Sequence, residues 1–220
     1  MKKACYIFGA GEESLPVSCP AREGVFVIAA DGGYKTACRA FGRPDLAVGD
    51  FDSLGYRPAD VPTLCHPAEK DDTDLALAAD EALARGYRRL FLFSALGGRL
   101  DHTVANLQLL ARLARGGVEA TLFGADGTAV TAIADGQTAA FSSAMRGTLS
   151  VLALGGVAEG VSLCGLRYPL DEASLYPDVP LGVSNEFLGT FATVSVRHGV
   201  LLLFYHSKEQ ATPEIKTNIS

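Results

Sequence analysis

Val25-Phe26-Val27-Ile28-Ala29-Ala30 runs straight into Asp31-Gly32-Gly33, and Leu46-Ala47-Val48 runs into Gly49-Asp50-Phe51-Asp52-Ser53. Unbroken apolar runs of this length read as strands covered on both faces of their sheet. Both stop at Asp and Gly, which suit a turn and not a strand interior. A helix-compatible segment from Tyr34 to Phe41 separates them, and Gly42 suits the position after a helix end.

The same alternation continues outward. Cys5-Tyr6-Ile7-Phe8 is a short apolar run ending in glycine, and Leu90-Phe91-Leu92-Phe93 and Val118 to Phe123 are further strands. Thr73 to Arg85 is predicted as a helix, with Asp71 or Asp72 as N-cap, Asp74 in the first turn and Gly86 as the stop. Asp101 or His102 opens another helix, which ends at Gly116-Gly117. This pattern predicts an α/β fold: a mostly parallel sheet with flanking helices.

The character changes near Ala134-Asp135-Gly136, where helical periodicity disappears. Gly147 to Leu154 and Thr190 to Val196 alternate as strands do, Val157 to Leu166 reads as a strand pair, and Val200 to Tyr205 is a buried run. Short strands punctuated by Gly and Pro predict an antiparallel β-sandwich. The expected organisation is an α/β domain over 1–134, a β-sandwich domain over 135–207, and a polar tail over 208–220 that frays.

Composition narrows the function classes. The chain has 220 residues, 48% of them hydrophobic, which is enough for a substantial core. No apolar run approaches the roughly 20 residues that span a bilayer. Met1-Lys2-Lys3 leads into an apolar run too short for a signal peptide, so none is expected. The five cysteines are scattered without a CxxC spacing, which argues against zinc and a disulfide framework and fits a reducing cytoplasm. The formal net charge of −6 argues against a nucleic-acid partner.

Three acidic or glycine-rich loops carry the candidate chemistry: Gly49 to Ser53, Lys70-Asp71-Asp72-Thr73-Asp74, and Gly97-Gly98-Arg99-Leu100-Asp101-His102. Asp50, Asp52 and Asp74 are candidate ligands for a hard divalent cation, which takes oxygen donors and shares them with phosphates. A solvated Asx-turn is the bland account of Asp50 and Asp52, and a helix-dipole role is the bland account of Asp74. Gly97 and Gly98 let backbone approach a ligand, and Arg99 offers a planar fork for phosphate. Lys70 is either a phosphate contact or a local counter-charge, and His102 reads as structural. Gly9-Ala10-Gly11 lacks the third glycine of a dinucleotide fingerprint, since Ser14 occupies that place, and is set aside. The acidic loops follow strands, so they belong at the carboxyl edge of the sheet, where open α/β folds bind ligands.

Together with Asp31-Gly32-Gly33, Gly165 to Leu170 and Ser184-Asn185-Glu186, these motifs resemble the thiamine pyrophosphokinase family, in the same order and across both halves. The resemblance implies an N-terminal α/β domain, a C-terminal β-sandwich and a homodimer with active sites at the subunit interface. It implies transfer of a pyrophosphoryl group from ATP to thiamine, giving thiamine diphosphate and AMP, with Mg²⁺ on Asp50, Asp52 and Asp74. Arg99 and Lys70 would then contact phosphate, Asp31, Gly32, Gly33 and Gly98 would lie by the nucleotide, and Ser184 and Asn185 would hold thiamine. Asp101 stands open between the two substrates, and no general base is singled out. With no Trp in the chain, stacking on thiamine would fall to Tyr168 or Phe187, either of which reads equally as core. A D-x-D phosphohydrolase and a non-catalytic sensor are the rival readings. The first leaves the β domain without a role, and the second would have lost its metal carboxylates.

Overall fold

The structure is a computed structural model and describes residues 3–15, 24–67, 72–206 and 211–217. The chain forms two compact units. One consists of the residues up to Leu109 with Leu122–Asp126; the other consists of Leu110–Thr121 and the residues from Gly127 onward.

The first unit contains β1 (Ala4–Phe8), β2 (Val25–Ala30), α1 (Gly33–Phe41), β3 (Leu46–Gly49), β4 (Thr63–Cys65), α2 (Asp74–Ala84) and β5 (Arg89–Phe93). α3 (Leu100–Arg115) begins in it and β6 (Glu119–Phe123) ends in it. Strands β5-β1-β2-β3-β4 lie side by side in that order, and these four pairings are parallel. This is the parallel sheet expected from the continuous apolar runs. Val27 to Ala30 and Leu46 to Gly49 are buried throughout, as strands covered on both faces must be. A row of rings crosses the sheet, with Phe93 stacked on Phe8 and on Phe123, each at 5.1 Å.

The strand order decides where a ligand can sit. β1 lies between β5 and β2, so the chain leaves β1 toward one neighbour and returns later to its other side. Connections that diverge in this way leave a crevice at the carboxyl ends. The α2 cap differs from the expectation. Thr73, not Asp71 or Asp72, is the N-cap, its hydroxyl accepting from the Ala76 amide at 3.2 Å. The helix begins one residue later than the apolar pattern implied, which places Asp74 at its first position.

The second unit is built from β7 (Thr128–Ala134), β8 (Gln137–Phe141), β9 (Thr148–Ala153), β10 (Ala158–Cys164), β11 (Leu170–Leu175), β12 (Asn185–Glu186), β13 (Ala192–Ser195), β14 (Val200–His206) and β15 (Glu214–Thr217). They form the antiparallel sets β12-β9-β14-β7 and β11-β10-β13-β8-β15. Phe141 of β8 touches Tyr205 of β14 at 5.4 Å and Phe187 at 5.2 Å, joining the two sets through one core. Tyr205 is buried, and its hydroxyl lies 3.0 Å from that of Thr131, which is 2.8 Å from that of Thr121. The buried hydroxyls therefore satisfy one another.

Asp135 and Gly136, where the sequence changes character, form the turn between β7 and β8. Val157 to Leu166 holds one strand, β10, and not a pair; its register against β11 shifts near Gly160, whose φ of 62° a glycine tolerates. The polar tail also differs from the expectation: Glu214–Thr217 pairs antiparallel with β8. Backbone groups make that pairing, so polar side chains did not announce it. Among the described residues no helix is long and apolar enough to cross a membrane.

Candidate active site

The connections leaving β1, β2, β3 and β5 surround a cavity of about 590 Å³ within the first unit. Asp31, Asp50, Asp52, Asp74, Gly98 and Arg99 all line it. These side chains come from loops far apart in sequence and meet because their strands are parallel neighbours.

Asp31, Asp50 and Asp74 form the tightest group, each offering a carboxylate oxygen within 4.8 Å of the others. Asp31 follows β2 directly, has a φ of 44°, and is 4% exposed. Its amide donates to the Val48 carbonyl at 2.8 Å, which pins the residue against the end of β3. Its Oδ1 is buried and has no hydrogen-bond partner. Two glycines make this packing possible. A Cβ on Gly33 would lie 2.0 Å from the Phe8 carbonyl oxygen, so only glycine lets α1 start this close to β1. A Cβ on Gly49 would lie 3.1 Å from Asp31 Cβ and from Asp74 Oδ1. Phe51, at a φ of 63°, buries its ring and so turns Asp50 and Asp52 toward the cavity side.

Three clustered carboxylates repel one another, and a buried carboxylate oxygen left without a donor is costly. A hard divalent cation with oxygen preference removes both penalties, so the donor set fits Mg²⁺. Asp52 lines the same cavity but lies outside this triad. It is exposed, its amide donates to Asp50 Oδ1 at 3.3 Å, and its Oδ1 accepts from the Ser53 hydroxyl at 3.2 Å. Asp31, read from sequence as a nucleotide neighbour, is thus the third member of the cluster. Lys70 falls outside the described residues.

Arg99 is exposed and grips Asp101 with both arms of its fork, Nε to Oδ1 at 3.2 Å and Nη2 to Oδ2 at 2.6 Å. The guanidinium holds the Asp101 carboxyl below its ordinary value, and the carboxylate raises Arg99 in turn. A planar oxyanion occupies the fork, which is the chemistry a phosphate would offer. Arg99 and Gly98 border the cavity; Asp101 is not among its lining residues. The Asn106 side chain, buried in α3, donates to the Ala95 carbonyl at 2.7 Å and ties this loop to the helix.

Some lining residues escaped the sequence reading. Gly9, Ala10, Gly11 and Glu12 border the cavity, although their incomplete fingerprint had been set aside. The available signal was position alone: a glycine pair directly after a strand. His102, read as structural, also faces the cavity.

In the second unit Asn185 is buried and clamps Tyr168, accepting from its amide at 3.0 Å and donating to its carbonyl at 2.7 Å. Asn185 Oδ1 also accepts from the Glu186 amide at 2.9 Å. Ser184 has a φ of 61° and an exposed side chain, and its amide donates to the Ser150 hydroxyl at 3.0 Å. Glu186 pairs with Arg167 at 2.9 Å. Phe187 belongs to the core, whereas Tyr168 is 57% exposed with the Arg167 guanidinium 5.7 Å from its ring centroid.

Comparison with known proteins finds two family models along the chain. Residues 21–122 match the family model described as thiamin pyrophosphokinase, catalytic domain, and residues 139–201 match that described as thiamin pyrophosphokinase, vitamin B1 binding domain. The chain is 29% identical to a thiamine pyrophosphokinase of Bacillus subtilis over 182 residues, covering 80% of this chain and 85% of that protein. A crystal structure of the thiamine pyrophosphokinase from Bacillus subtilis superposes with a TM-score of 0.79 at 26% identity, covering 94% of this chain and all of that one. One from Geobacillus thermodenitrificans gives 0.75 at 28% identity, covering 94% and 99%.

Proposed function

The chain belongs to the thiamin pyrophosphokinase family and has that family's activity, and from this premise we propose that its donor is ATP, its cofactor Mg²⁺ and its products thiamine diphosphate and AMP. The observation that carries the proposal is the buried, unpartnered Oδ1 of Asp31 beside Asp50 and Asp74, in the same cavity as Arg99.

Asp31, Asp50 and Asp74 would hold the cation. A bound Mg²⁺ would supply charge neutralisation to the ATP phosphates. Arg99 exchanges the Asp101 carboxylate for a phosphate in its fork, and the backbone at Gly98 approaches the same phosphates without a side chain in the way. Phosphoryl-type transfer asks the protein mainly for position and charge compensation, and these rigid strand ends supply position. Asp52, on the cavity wall, would add a further carboxylate toward the metal and phosphates. Lys70 would add a further cation, and Asp31-Gly32-Gly33 would be the loop nearest the nucleotide.

Thiamine is assigned to the β-sandwich portion, with Ser184 as a direct contact and Asp101 as a residue serving either substrate. Asn185, its amide occupied by Tyr168, would act by holding that loop in place, and exposed Tyr168 is the aromatic suited to stack on thiamine. We further propose a cytoplasmic homodimer with active sites at the subunit interface. The large exposed apolar side chains of the second unit support an interface there, among them Leu181 at 59%, Leu188 at 58% and Phe191 at 62% exposure.

The test is a product assay with ATP, Mg²⁺ and thiamine that resolves AMP, ADP and thiamine diphosphate. Equimolar AMP and thiamine diphosphate are expected. ADP with thiamine monophosphate would overturn attack at the β-phosphorus, and inorganic phosphate alone would favour a phosphohydrolase.

A further inference from the structure

Glu12 stands on the cavity wall at the point where the connections from β1 and β5 face each other. The backbone that carries it is held from both sides. The Gly9 amide donates to the Phe93 carbonyl at 2.8 Å, and the Gly11 amide donates to the Ser94 carbonyl at 2.8 Å. A Cβ would lie 2.8 Å from the Ser94 carbonyl oxygen at Gly9 and 2.6 Å at Gly11, so both glycines are required by this approach. Beyond Glu12 the Ser14 amide donates to the Ser94 hydroxyl at 3.1 Å, and the Ser94 amide donates to the Ser14 hydroxyl at 2.6 Å. The Ser14 hydroxyl then donates to the Phe123 carbonyl at 2.9 Å. Ser14 is 3% exposed and Ser94 is 1% exposed, with a φ of 53° at Ser94. A reciprocal buried clip of this kind fixes the loop's course.

Between these clamps the Glu12 side chain reaches over Gly97, where an added Cβ would lie 2.5 Å from its Oε2. Among the described residues its carboxylate has no hydrogen-bond or ion-pair partner. A carboxylate carried by this fixed backbone beside Gly97 repels a phosphate, because both are anionic. It needs a donor. ATP offers hydrogen-bond donors only at its ribose hydroxyls and its adenine amino group, and a vicinal diol matches the two oxygens of a carboxylate. We propose that Glu12 is a specificity-determining residue that accepts from the ribose hydroxyls of the nucleotide, and that the Ser14–Ser94 clip positions it. The inference rests on ATP being the donor, as proposed above.

The test compares kcat/KM for ATP and for 2′-deoxy-ATP in the wild type and in Glu12→Ala, with thiamine saturating, and then measures the thiamine KM of both proteins. The side chain is exposed, so the variant's fold is checked by a melting curve matching the wild type. The wild type is expected to favour ATP by about tenfold or more, the worth of a charge-assisted hydrogen bond. Glu12→Ala is expected to bring the two nucleotides within about twofold through a higher ATP KM. No preference in the wild type, an unchanged preference in the variant, or a shift confined to the thiamine KM would each overturn the assignment. Failure of the wild type to release AMP from ATP would instead sink the donor reading, so the two failures are distinguishable.

Discussion

Gly49 and Asp74 are packed so closely that a Cβ on the glycine would lie 3.1 Å from the carboxylate Oδ1. The same atom would lie 3.1 Å from Asp31 Cβ, and the glycine has a φ of 148°. Gly49→Ala must therefore displace the triad or strain the backbone. We expect a stability loss of about 1–3 kcal/mol and a fall in kcat of about tenfold or more. Urea unfolding and a Mg²⁺ titration of turnover check both, and wild-type metal dependence in the variant would contradict the packing argument.

Asp31→Asn separates function from stability. Asp31 stands beside the Asp50 and Asp74 carboxylates, so loss of its charge relieves like-charge repulsion in the metal-free protein. The variant should melt at or above the wild type without Mg²⁺, gain nothing when Mg²⁺ is added, and turn over at least about 100-fold more slowly. A variant that is still stabilised by Mg²⁺ would remove Asp31 from the cation site.

Tyr34 joins α1 to the loop after Asp50 and Asp52, its hydroxyl donating to Asp60 Oδ1 at 2.7 Å. Burial, and then this hydrogen bond, pushes the phenol above its ordinary value, so it stays protonated and a donor at any working pH. Tyr34→Phe keeps the buried ring and leaves Asp60 to water. We expect a loss of about 0.5–1.5 kcal/mol and a few-fold rise in the Mg²⁺ concentration for half-maximal rate. An unchanged Mg²⁺ requirement would make the bond purely structural.

The Arg99–Asp101 pair predicts a flat region of pH dependence. Asp101 is held below its ordinary value, about 3.9 in the unfolded chain, by the Arg99 hydrogen bonds. The pair's contribution is therefore complete above about pH 4 and is lost only as pH falls through the lower folded value. Both groups are exposed, so the ATP KM, not global stability, is the sensitive readout. Between about pH 5.5 and 8 this pair should add no slope to the ATP KM, and an inflection removed by Asp101→Asn would refute that.

Ser184 and Asn185 should behave differently although they are adjacent. Asn185→Ala orphans the Tyr168 and Glu186 amides and is expected to cost about 1–3 kcal/mol. Ser184→Ala leaves the Ser150 bond, which uses the backbone amide, and should change stability by less than about 0.5 kcal/mol. It should raise the thiamine KM more than the ATP KM. The reverse pattern would assign this loop to the nucleotide.

Strand and helix identities were legible because they rest on local chemistry. Apolar runs such as 25–30, stop residues such as Gly42 and Gly86, and the alternation of 147–154 are each read within one short window. β15 was not legible, since its pairing with β8 depends on backbone groups that every sequence carries. Thr73 as N-cap was missed because neighbouring aspartates are equally good caps in isolation.

For the site, the sequence by itself determined the inventory: the acids after β2 and β3, the acid opening α2, and the glycine-arginine loop after β5. Which of them meet was decided by tertiary structure. Parallel pairing of β2 with β3 brings Asp31 to Asp50, where Asp74 joins them, and pairing of β1 with β5 carries Glu12 over Gly97. The clip between Ser14 and Ser94 spans 80 residues of sequence. Such proximity follows from strand order, which is set by non-local hydrogen bonds and side-chain packing across the sheet, and no window along the chain contains it.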